Sequence, residues 1–290
     1  MLRNTILLFL VLLCLQVIPV VHQAQAQAQF ITSPYFEKAR SDEPLVIALT
    51  GDTPPFCLLD KQGQPHGFDV ALATKLGQLL GTEIRFVYPE FKDIFGLIQN
   101  GTIDMAIANI TITIERSMQV SFSHSYMDIT QGAMLDRRYI PRQIVEGVVK
   151  DVPIHSYADL EKIPGLIVGT WGNTTSAEFT KEFKLDLEHH SFANILEARQ
   201  ALHNGEINAL VADSPIIQFI SNYYSNDRKR FKTLTKPTTR ERLAIAVRMG
   251  DPAFVEFLNE FVDELKAAGT LDQWEKQYIN DTSWAREVLR

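Results

Sequence analysis

The strongest constraint on the fold is a repeated alternation of apolar runs with amphipathic stretches. Leu45–Leu49 is continuously apolar, and Phe68–Leu80 carries apolar residues at helical spacing before Gly81. This pattern predicts a strand and then a helix, followed by strands over Glu83–Tyr88 and Ile103–Ile110. Because strand–helix alternation favours a mainly parallel sheet covered by helices, the first half of the chain is predicted to be an α/β unit.

The same alternation returns after residue 150. Strands are predicted at Gly165–Trp171, Ala209–Ala212 and Leu243–Val247. Helices are predicted at Asp93–Asn100, Ser176–Phe183, Ile195–Asn204, Ser214–Asn222, Ala253–Ala268 and Leu271–Tyr278. Residues 29–44 contain two prolines and are predicted to be an extended lead-in. The chain is therefore expected to hold two α/β units.

Two segments of the chain resemble each other and support two equivalent units. Gln99–Asn109 and His203–Asp213 both contain Asn-Gly, a short apolar strand and a polar residue at the strand end. We expect Asn109 and Asp213 to lie at the carboxyl ends of strands in two facing sheets. Ligands of open α/β sheets bind at such strand ends.

The first 28 residues have the composition of a secretory signal peptide. Arg3 is their single charge, Ile6–Leu15 is unbroken apolar sequence, and small residues lead to Ala28. The alternative is an uncleaved anchor, for which the apolar run is short. We predict export to the periplasm with cleavage near Ala28, which leaves Cys57 as a lone, buried structural thiol.

Composition and motifs exclude several functions. The net charge of −7 argues against a nucleic-acid partner. The sequence contains no Cys-x-x-Cys, His-x-x-x-His, G-x-S-x-G or Walker loop. We therefore predict no metal, no cofactor and no catalytic residues.

One local pattern suits a carboxylate ligand. Thr111, Thr113 and Arg116 form Thr-x-Thr-x-x-Arg directly after a predicted strand. Such a turn offers hydroxyls, backbone N–H groups and a guanidinium that can bind a carboxylate with two hydrogen bonds. The alternative is a threonine helix cap followed by a surface arginine.

The run Thr-Ile-Thr-Ile-Glu-Arg resembles the signature of family 3 of the bacterial solute-binding proteins, the amino-acid-binding proteins of ABC importers. The ligand-binding cores of ionotropic glutamate receptors are similar. Further segments agree with the family in order and spacing: Pro54–Phe56, Gly67–Ala73, Ile98–Asp104, Val168–Gly169 with Thr174–Ser176, Ala212–Pro215, Ile245–Arg248 with Gly250–Pro252, and Gly269–Leu271. The resemblance covers nearly the whole exported chain.

The resemblance implies a two-lobed periplasmic-binding-protein type II fold. Each lobe is expected to contain a mainly parallel sheet with flanking helices, and two crossing strands at 126–130 and 239–243 are expected to act as the hinge. Residues 42–125 plus 244–279 would form lobe 1, and residues 131–239 would form lobe 2. A ligand would be enclosed between the lobes.

The resemblance also assigns a site for the charged groups of an α-amino acid. Arg116 is expected to bind the carboxylate with the backbone N–H groups of Thr111 and Thr175. Asp213 is expected to bind the ammonium with the Thr111 hydroxyl and the Asn109 carbonyl. A buried zwitterion needs one cation and one anion held apart. The alternative for Asp213 is a helix cap before Pro215.

Residues around the ligand side chain depart from the family pattern. Thr53 replaces a common aromatic, Phe91 matches the other pocket aromatic, and Trp171 lies in a matched segment of lobe 2, although it could equally be a packing residue. Thr174 completes the expected binding residues. Thr50 replaces an aspartate frequent in binders of cationic amino acids, so a neutral or acidic ligand is favoured over a cationic one.

These observations predict a monomeric periplasmic protein that delivers an amino acid to an ABC permease. An enzyme similar to cyclohexadienyl dehydratase is the alternative on the same fold. It would need a general acid beside Arg116, for which Asp52 is the unassigned candidate. An amino-acid sensor is a third possibility, because sensing uses the same ligand chemistry.

Overall fold

The computed structural model describes residues 33–41, 43–182 and 187–289. Its α-helices are α1 (Pro34–Arg40), α2 (Phe68–Leu80), α3 (Ile94–Gln99), α4 (Ile114–Ser117), α5 (Thr175–Lys181), α6 (Ile195–Asn204), α7 (Ser214–Tyr223), α8 (Pro252–Ala267), α9 (Thr270–Glu275) and α10 (Ser283–Val288). Its strands are β1 (Leu45–Ala48), β2 (Asp52–Thr53), β3 (Cys57–Leu59), β4 (Pro65–His66), β5 (Ile84–Val87), β6 (Met105–Ala106), β7 (Ser121–Phe122), β8 (Met127–Ile129), β9 (Gln131–Asp136), β10 (Arg142–Val145), β11 (Val148–Asp151), β12 (Ile167–Trp171), β13 (Glu188–Phe192), β14 (Ala209–Asp213), β15 (Phe231–Leu234), β16 (Glu241–Leu243) and β17 (Ala246–Val247).

The first sheet has the strand order β5–β1–β6–β17–β7. β1 is parallel to both of its neighbours, and β17 is antiparallel to both of its neighbours. Every residue of β1 is buried, as expected for a strand covered on both faces. The apolar run that predicted this strand therefore lies at the centre of the first lobe.

The second sheet repeats this arrangement with the order β13–β12–β14–β9–β15. β12 is parallel to β13 and β14, whereas β9 is antiparallel to β14 and β15. In both sheets the fourth strand runs against the other strands. The two α/β units predicted from the alternation are thus equivalent in topology.

A separate antiparallel pair, β8 and β16, joins the two sheets. Glu241 pairs with Ile129 and Leu243 pairs with Met127. Along the chain, β8 lies between β7 of the first sheet and β9 of the second, and β16 lies between β15 and β17. The chain therefore crosses twice, and the predicted two-lobed α/β fold with two crossing strands is confirmed.

Two short connections bring polar residues to the space between the lobes. α7 begins directly after β14, so Asp213 ends a buried strand immediately before a helix. In the first lobe, the chain leaves β6 and reaches α4 within a few residues, and Thr113 caps that helix. Both connections follow carboxyl ends of parallel strands.

The predicted extended lead-in over 29–44 is wrong for part of its length. Residues Pro34–Arg40 form α1, because proline at the first helical position favours helix initiation. The Tyr35 ring stacks on the Phe254 ring at a centroid distance of 4.3 Å. This contact fixes the helix against the first lobe.

Two predicted strands are shorter than expected. The strand over Ile103–Ile110 pairs only at Met105–Ala106, and Asn109 has a φ of 53°, which turns the backbone out of the sheet. The run Leu243–Val247 contains the end of β16 and the start of β17, since the chain passes there from the crossing pair into the first sheet.

An exposed hairpin was not predicted. β10 and β11 pair antiparallel around Glu146 and Gly147, whose φ values are 54° and 79°. Positive φ at both turn residues is the geometry of the tight turn that suits twisted strands. The hairpin lies between β9 and β12 in sequence and does not contribute to the site.

Residues 1–28, predicted to be a signal peptide, lie outside the described residues, as does Phe183 at the end of a predicted helix. Among the residues that are described, no helix has the length and apolar character needed to cross a membrane.

Candidate ligand-binding site

A small closed cavity lies between the two lobes. Its free space is about 20 Å³, room for one water molecule. Eight of the nine predicted binding residues line it, and the full wall consists of Phe91, Asn109, Thr111, Arg116, Trp171, Thr174, Thr175, Ser176, Ile195, Val211, Ala212, Asp213 and Ile216. The side chains of the two lobes therefore already meet in this structure.

Thr53 is the predicted binding residue that the structure does not bring to the cavity. It pairs with Cys57 in the small β2–β3 sheet, and its side chain is fully buried there. Its hydroxyl donates to Asp52 Oδ1 at 3.4 Å. Thr53 is thus a buried residue of the first lobe outside this cavity wall, and its role in ligand binding stays a prediction.

Arg116 forms the positive end of the cavity. It lies in α4, and the Thr113 hydroxyl caps this helix by accepting from the Arg116 backbone N–H at 3.2 Å. The guanidinium donates from Nη1 to the Thr111 carbonyl at 2.9 Å. Within the described part of the chain this is its single hydrogen bond, so further N–H donors remain for a carboxylate.

The aromatic and electrostatic surroundings of Arg116 keep it in place. Its guanidinium carbon lies 5.4 Å from the Phe91 ring centroid and 5.5 Å from that of Phe95. Only 8% of Arg116 is exposed, and this burial lowers its pKa. A guanidinium nevertheless stays protonated at neutral pH, so the cavity contains a buried cation.

The first turn of α5 faces the same cavity. Thr175 is its first residue, and the N–H groups of a first helical turn have no partners within the helix. The Thr174 hydroxyl donates to the Trp171 carbonyl at 2.7 Å, so this hydroxyl closes the turn that precedes the helix. The positions of Thr174 and Thr175 in the cavity wall agree with the prediction.

Asp213 forms the negative end of the cavity. Only 6% of it is exposed. Its Oδ2 accepts from Asn109 Nδ2 at 2.9 Å, and its Oδ1 accepts from Gln131 Nε2 at 2.9 Å. Burial, followed by repulsion from Glu241, raises the pKa of Asp213 to about 7. The site thus presents opposite charges from opposite lobes.

Gln131 and Glu241 are part of this end and were missed from the sequence. Gln131 Nε2 also donates to Glu241 Oε1 at 2.7 Å. Gln131 is fully buried, and Glu241 is 6% exposed. Gln131 begins β9 directly after the crossing strand β8, and Glu241 begins the crossing strand β16. Polar residues or glycine flank both of them in the sequence, so no local pattern marked either one.

Asn109 connects the negative end to the first lobe. Its backbone N–H donates to Asp69 Oδ2 at 2.8 Å, and the Tyr126 hydroxyl donates to Asp69 Oδ1 at 3.0 Å. Burial raises the pKa of Asp69 to about 7. The Asn109 side chain forms the hydrogen bond to Asp213 across the cleft, a role that the sequence did not indicate.

Phe91 and Trp171 close one side of the cavity. Their ring centroids are 5.1 Å apart, and the two residues come from different lobes. On the other side of this pair lies a cavity of about 390 Å³ whose wall includes Thr50, Asp52 and Tyr88. Burial raises the pKa of Asp52. Trp171 therefore both packs against Phe91 and separates two cavities.

The remaining predicted features lie away from this site. Cys57 is buried, and its burial raises the thiol pKa to about 12, which makes the thiolate a minor form. Across the described ranges, no group of three or more His, Cys, Asp or Glu residues has the arrangement of a metal site.

Comparison with curated proteins identifies amino-acid-binding relatives. A probable histidine-binding protein of Neisseria gonorrhoeae is 28% identical over 80% of this chain and 82% of its own. A glutamine-binding protein of an ABC transporter from Bacillus subtilis is 28% identical over 83% of each chain. An L-arginine-binding protein of Pseudomonas aeruginosa is 27% identical over 83% of this chain and 89% of its own.

Solved structures agree with this relationship. An ancestral amino-acid-binding protein described as a precursor of cyclohexadienyl dehydratase has a TM-score of 0.71 and 29% identity, covering 84% of this chain and 99% of its own. An ABC transporter binding component from Wolinella succinogenes, complexed with lysine, has a TM-score of 0.72 and 25% identity, with coverages of 84% and 98%. The profile of the bacterial extracellular solute-binding proteins, family 3, matches residues 45–281. This chain therefore belongs to family 3 of the bacterial extracellular solute-binding proteins.

Proposed function

We propose that this protein captures a free α-amino acid between its two lobes and presents it to the permease of an ABC importer. The observation that carries the proposal is the pair of buried opposite charges, Arg116 and Asp213, on one cavity. A zwitterion satisfies both charges at once, whereas a ligand with a single charge leaves one of them unpaired. The named relatives, which bind amino acids, support the same class.

We assign the carboxylate to Arg116 and to the backbone N–H groups of Thr111 and Thr175. We assign the ammonium to Asp213, the Asn109 carbonyl and the Thr111 hydroxyl. The burial of both charged side chains supports this assignment, because electrostatic interactions are stronger where water is excluded.

We also propose that the lobes separate to admit the ligand, since the free space of about 20 Å³ is smaller than any amino acid. Residues 126–130 and 239–243 would be the hinge between lobe 1, at 42–125 plus 244–279, and lobe 2, at 131–239. The pairing of β8 with β16 between the two sheets supports this assignment.

We propose that the ligand side chain is neutral and carries hydrogen-bonding groups. It would extend past Phe91 and Trp171 into the cavity of about 390 Å³. Asp52 in that wall disfavours an acidic side chain, and Thr50 in the same wall offers a hydroxyl in place of a second carboxylate for a cationic one. The two other charged residues of this wall, Lys92 and Glu90, form an ion pair with each other at 2.6 Å.

One observation favours the dehydratase-like enzyme as a second candidate. The Asp213 carboxyl has a pKa of about 7 and lies in the same cavity wall as Arg116. A carboxyl that is partly protonated at neutral pH can act as a general acid. It would give its proton to the leaving hydroxyl group of the substrate, which would depart as water. In this case the substrate would be a cyclohexadienyl acid held by Arg116.

A thermal-shift screen of the exported, purified protein tests the proposal. The panel contains the twenty L-amino acids and a cyclohexadienyl acid, each also analysed for product after incubation. A ligand at 100 times its Kd stabilises the folded state by about 2.7 kcal/mol, which is a measurable shift. A shift with neutral amino acids and no product supports the binding protein. Product from the cyclohexadienyl acid supports the enzyme, and no shift with any amino acid contradicts the proposed function.

A further inference from the structure

A buried group of two carboxyls and one amide lies behind the ammonium end of the cavity. Gln131 Nε2 donates to Asp213 Oδ1 at 2.9 Å and to Glu241 Oε1 at 2.7 Å. The exposed fractions are 0% for Gln131 and 6% for each acid. One amide nitrogen therefore holds two carboxyls from different elements, β14 and β16, close together.

This group has more acceptors than donors. Within the described residues, Gln131 Oε1 and Glu241 Oε2 are buried and accept no hydrogen bond, and the same is true of Asn109 Oδ1 in the cavity wall. Buried acceptors without donors are costly and are uncommon in folded proteins. The unpaired acceptors of this group can therefore be satisfied by a positively charged hydrogen-bond donor or by a bound proton.

One cation and two tyrosines interact electrostatically with this pair of acids. Arg116 acts on both acids, but its guanidinium bonds to the Thr111 carbonyl. Tyr126 acts on Asp213 and Tyr157 on Glu241, and both are neutral phenols whose pKa values are raised by burial. The Thr239 hydroxyl donates to Glu241 Oε1 at 3.5 Å. In the part of the chain that the structure describes, these groups do not fully compensate two ionised carboxylates.

We propose that the Asp213–Gln131–Glu241 group holds one proton in the ligand-free protein and releases it to solvent when a ligand ammonium binds, with Glu241 as the residue that couples affinity to pH. The inference rests on the proposed function, since it needs an ammonium at Asp213. The exchange balances: the group loses one proton and gains the charge of one ammonium, and no bond other than O–H is broken.

The affinity for the ligand is expected to depend on pH because only the ionised form of Asp213 pairs with the ligand ammonium. The ionised form of Asp213 pairs with an ammonium, and its fraction increases as the pH rises through the pKa of about 7. Between pH 6 and pH 8, affinity is therefore expected to increase roughly tenfold. Glu241→Gln removes the repelling charge but leaves Asp213 buried, so the pKa of Asp213 falls and the midpoint of the pH dependence moves to lower pH.

Asp69 is the alternative source of a pH dependence. Its pKa is also raised to about 7, and it accepts from the Asn109 backbone N–H. Glu241→Gln leaves Asp69 and its hydrogen bonds unchanged. A pH dependence whose midpoint is the same in this variant as in wild type is therefore not set by Glu241 and overturns the assignment.

Isothermal titration calorimetry in phosphate and in Tris buffer, at pH 6, 7 and 8, measures the protons released. The probes are the panel amino acids that give a thermal shift. Wild type is expected to release nearly one proton at pH 6 and almost none at pH 8, whereas Glu241→Gln is expected to release fewer protons than wild type at pH 6 and at pH 7. Asp128→Asn is the matched control, because Asp128 is an exposed acid on β8, the crossing strand that pairs with β16. This variant should release as many protons as wild type.

A measurement without ligand keeps the inference testable when Glu241→Gln does not fold or no amino acid binds. Carbon-13 NMR of labelled carboxyls in the wild-type protein should show Asp213, assigned with Asp213→Asn, titrating near pH 7. Titration near pH 4 overturns the inference. Amino-acid binding without proton release at pH 6 also overturns it, whereas absence of binding contradicts the proposed function alone.

Discussion

The two ends of the cavity are built in different ways. The positive end is encoded locally, since Thr111, Thr113 and Arg116 lie within one short turn and its helix. The negative end is assembled around Asp213 by hydrogen bonds between distant residues, with sequence separations of 104 for Asn109–Asp213, 82 for Gln131–Asp213 and 110 for Gln131–Glu241. The turn that holds Arg116 is complete within one lobe, whereas the hydrogen bonds around Asp213 require both lobes and the crossing strands.

This difference has an energetic consequence. Arg116 makes one side-chain hydrogen bond and leaves donors free, so a carboxylate adds bonds without displacing many. Both oxygens of Asp213 already accept from amides, so an ammonium must compete with those amides. Replacements at the positive end should therefore reduce affinity, while replacements at the negative end can change it in either direction.

The largest effect is expected for Arg116→Ala. Removing one partner of a buried charge pair costs about 2–5 kcal/mol, so affinity should fall about 100-fold or more in calorimetry. Arg240→Ala is the control, because the Arg240 side chain is 84% exposed and directly precedes β16, away from the cavity wall. Wild-type affinity in Arg116→Ala would show that the carboxylate binds elsewhere.

Asp213→Asn should weaken binding by about 30- to 100-fold and increase stability at neutral pH. The folded-state pKa of Asp213 is about 7, above its unfolded value of roughly 4. The folded state therefore binds more protons between these values, and wild-type stability falls as pH rises through this window. Asp213→Asn removes this loss. Urea unfolding at pH 4.5 and 7.5 should show the variant gaining stability relative to wild type only at the higher pH; an equal difference at both would contradict the assignment.

The local end is also the one that was predictable from sequence. The spacing of Thr111, Thr113 and Arg116 fixes a capped turn, because every contact in it spans five residues or fewer. Asp213 was predicted because a strand and a helix meet at it. Such features depend on short-range geometry and on periodicity, which a single sequence contains.

The distant end was predictable only in part. Gln131 and Glu241 have no pattern of their own, and their pairing depends on the two crossing strands lying side by side. The sequence also did not indicate that Thr53 pairs with Cys57 and lies outside the cavity wall. A sequence predicts which strands exist more readily than which polar side chains meet once those strands are packed.

Asn109→Gly is expected to increase affinity about five- to tenfold. The Asn109 amide lies 2.9 Å from Asp213 Oδ2, where it competes with a ligand ammonium. Glycine also adopts the observed φ of 53° without strain and keeps the backbone carbonyl. Glu146→Gly is the matched control, because Glu146 has a φ of 54° but lies in the β10–β11 hairpin, outside the walls of both cavities. Weaker binding in Asn109→Gly alone would mean that the amide contacts the ligand.

The smallest effect is expected for Thr113→Ala, which tests the local end without touching its charge. The Thr113 hydroxyl caps α4 by accepting from the Arg116 N–H at 3.2 Å, and the loss of such a cap costs about 1 kcal/mol. Since α4 comprises only Ile114–Ser117, part of this cost appears as disorder of Arg116 in the ligand-free protein. Calorimetry should show affinity reduced by about two- to fivefold, while Thr113→Ser, which keeps the cap, should match wild type. A loss as large as that of Arg116→Ala would instead mean that Thr113 contacts the ligand directly, in addition to capping α4.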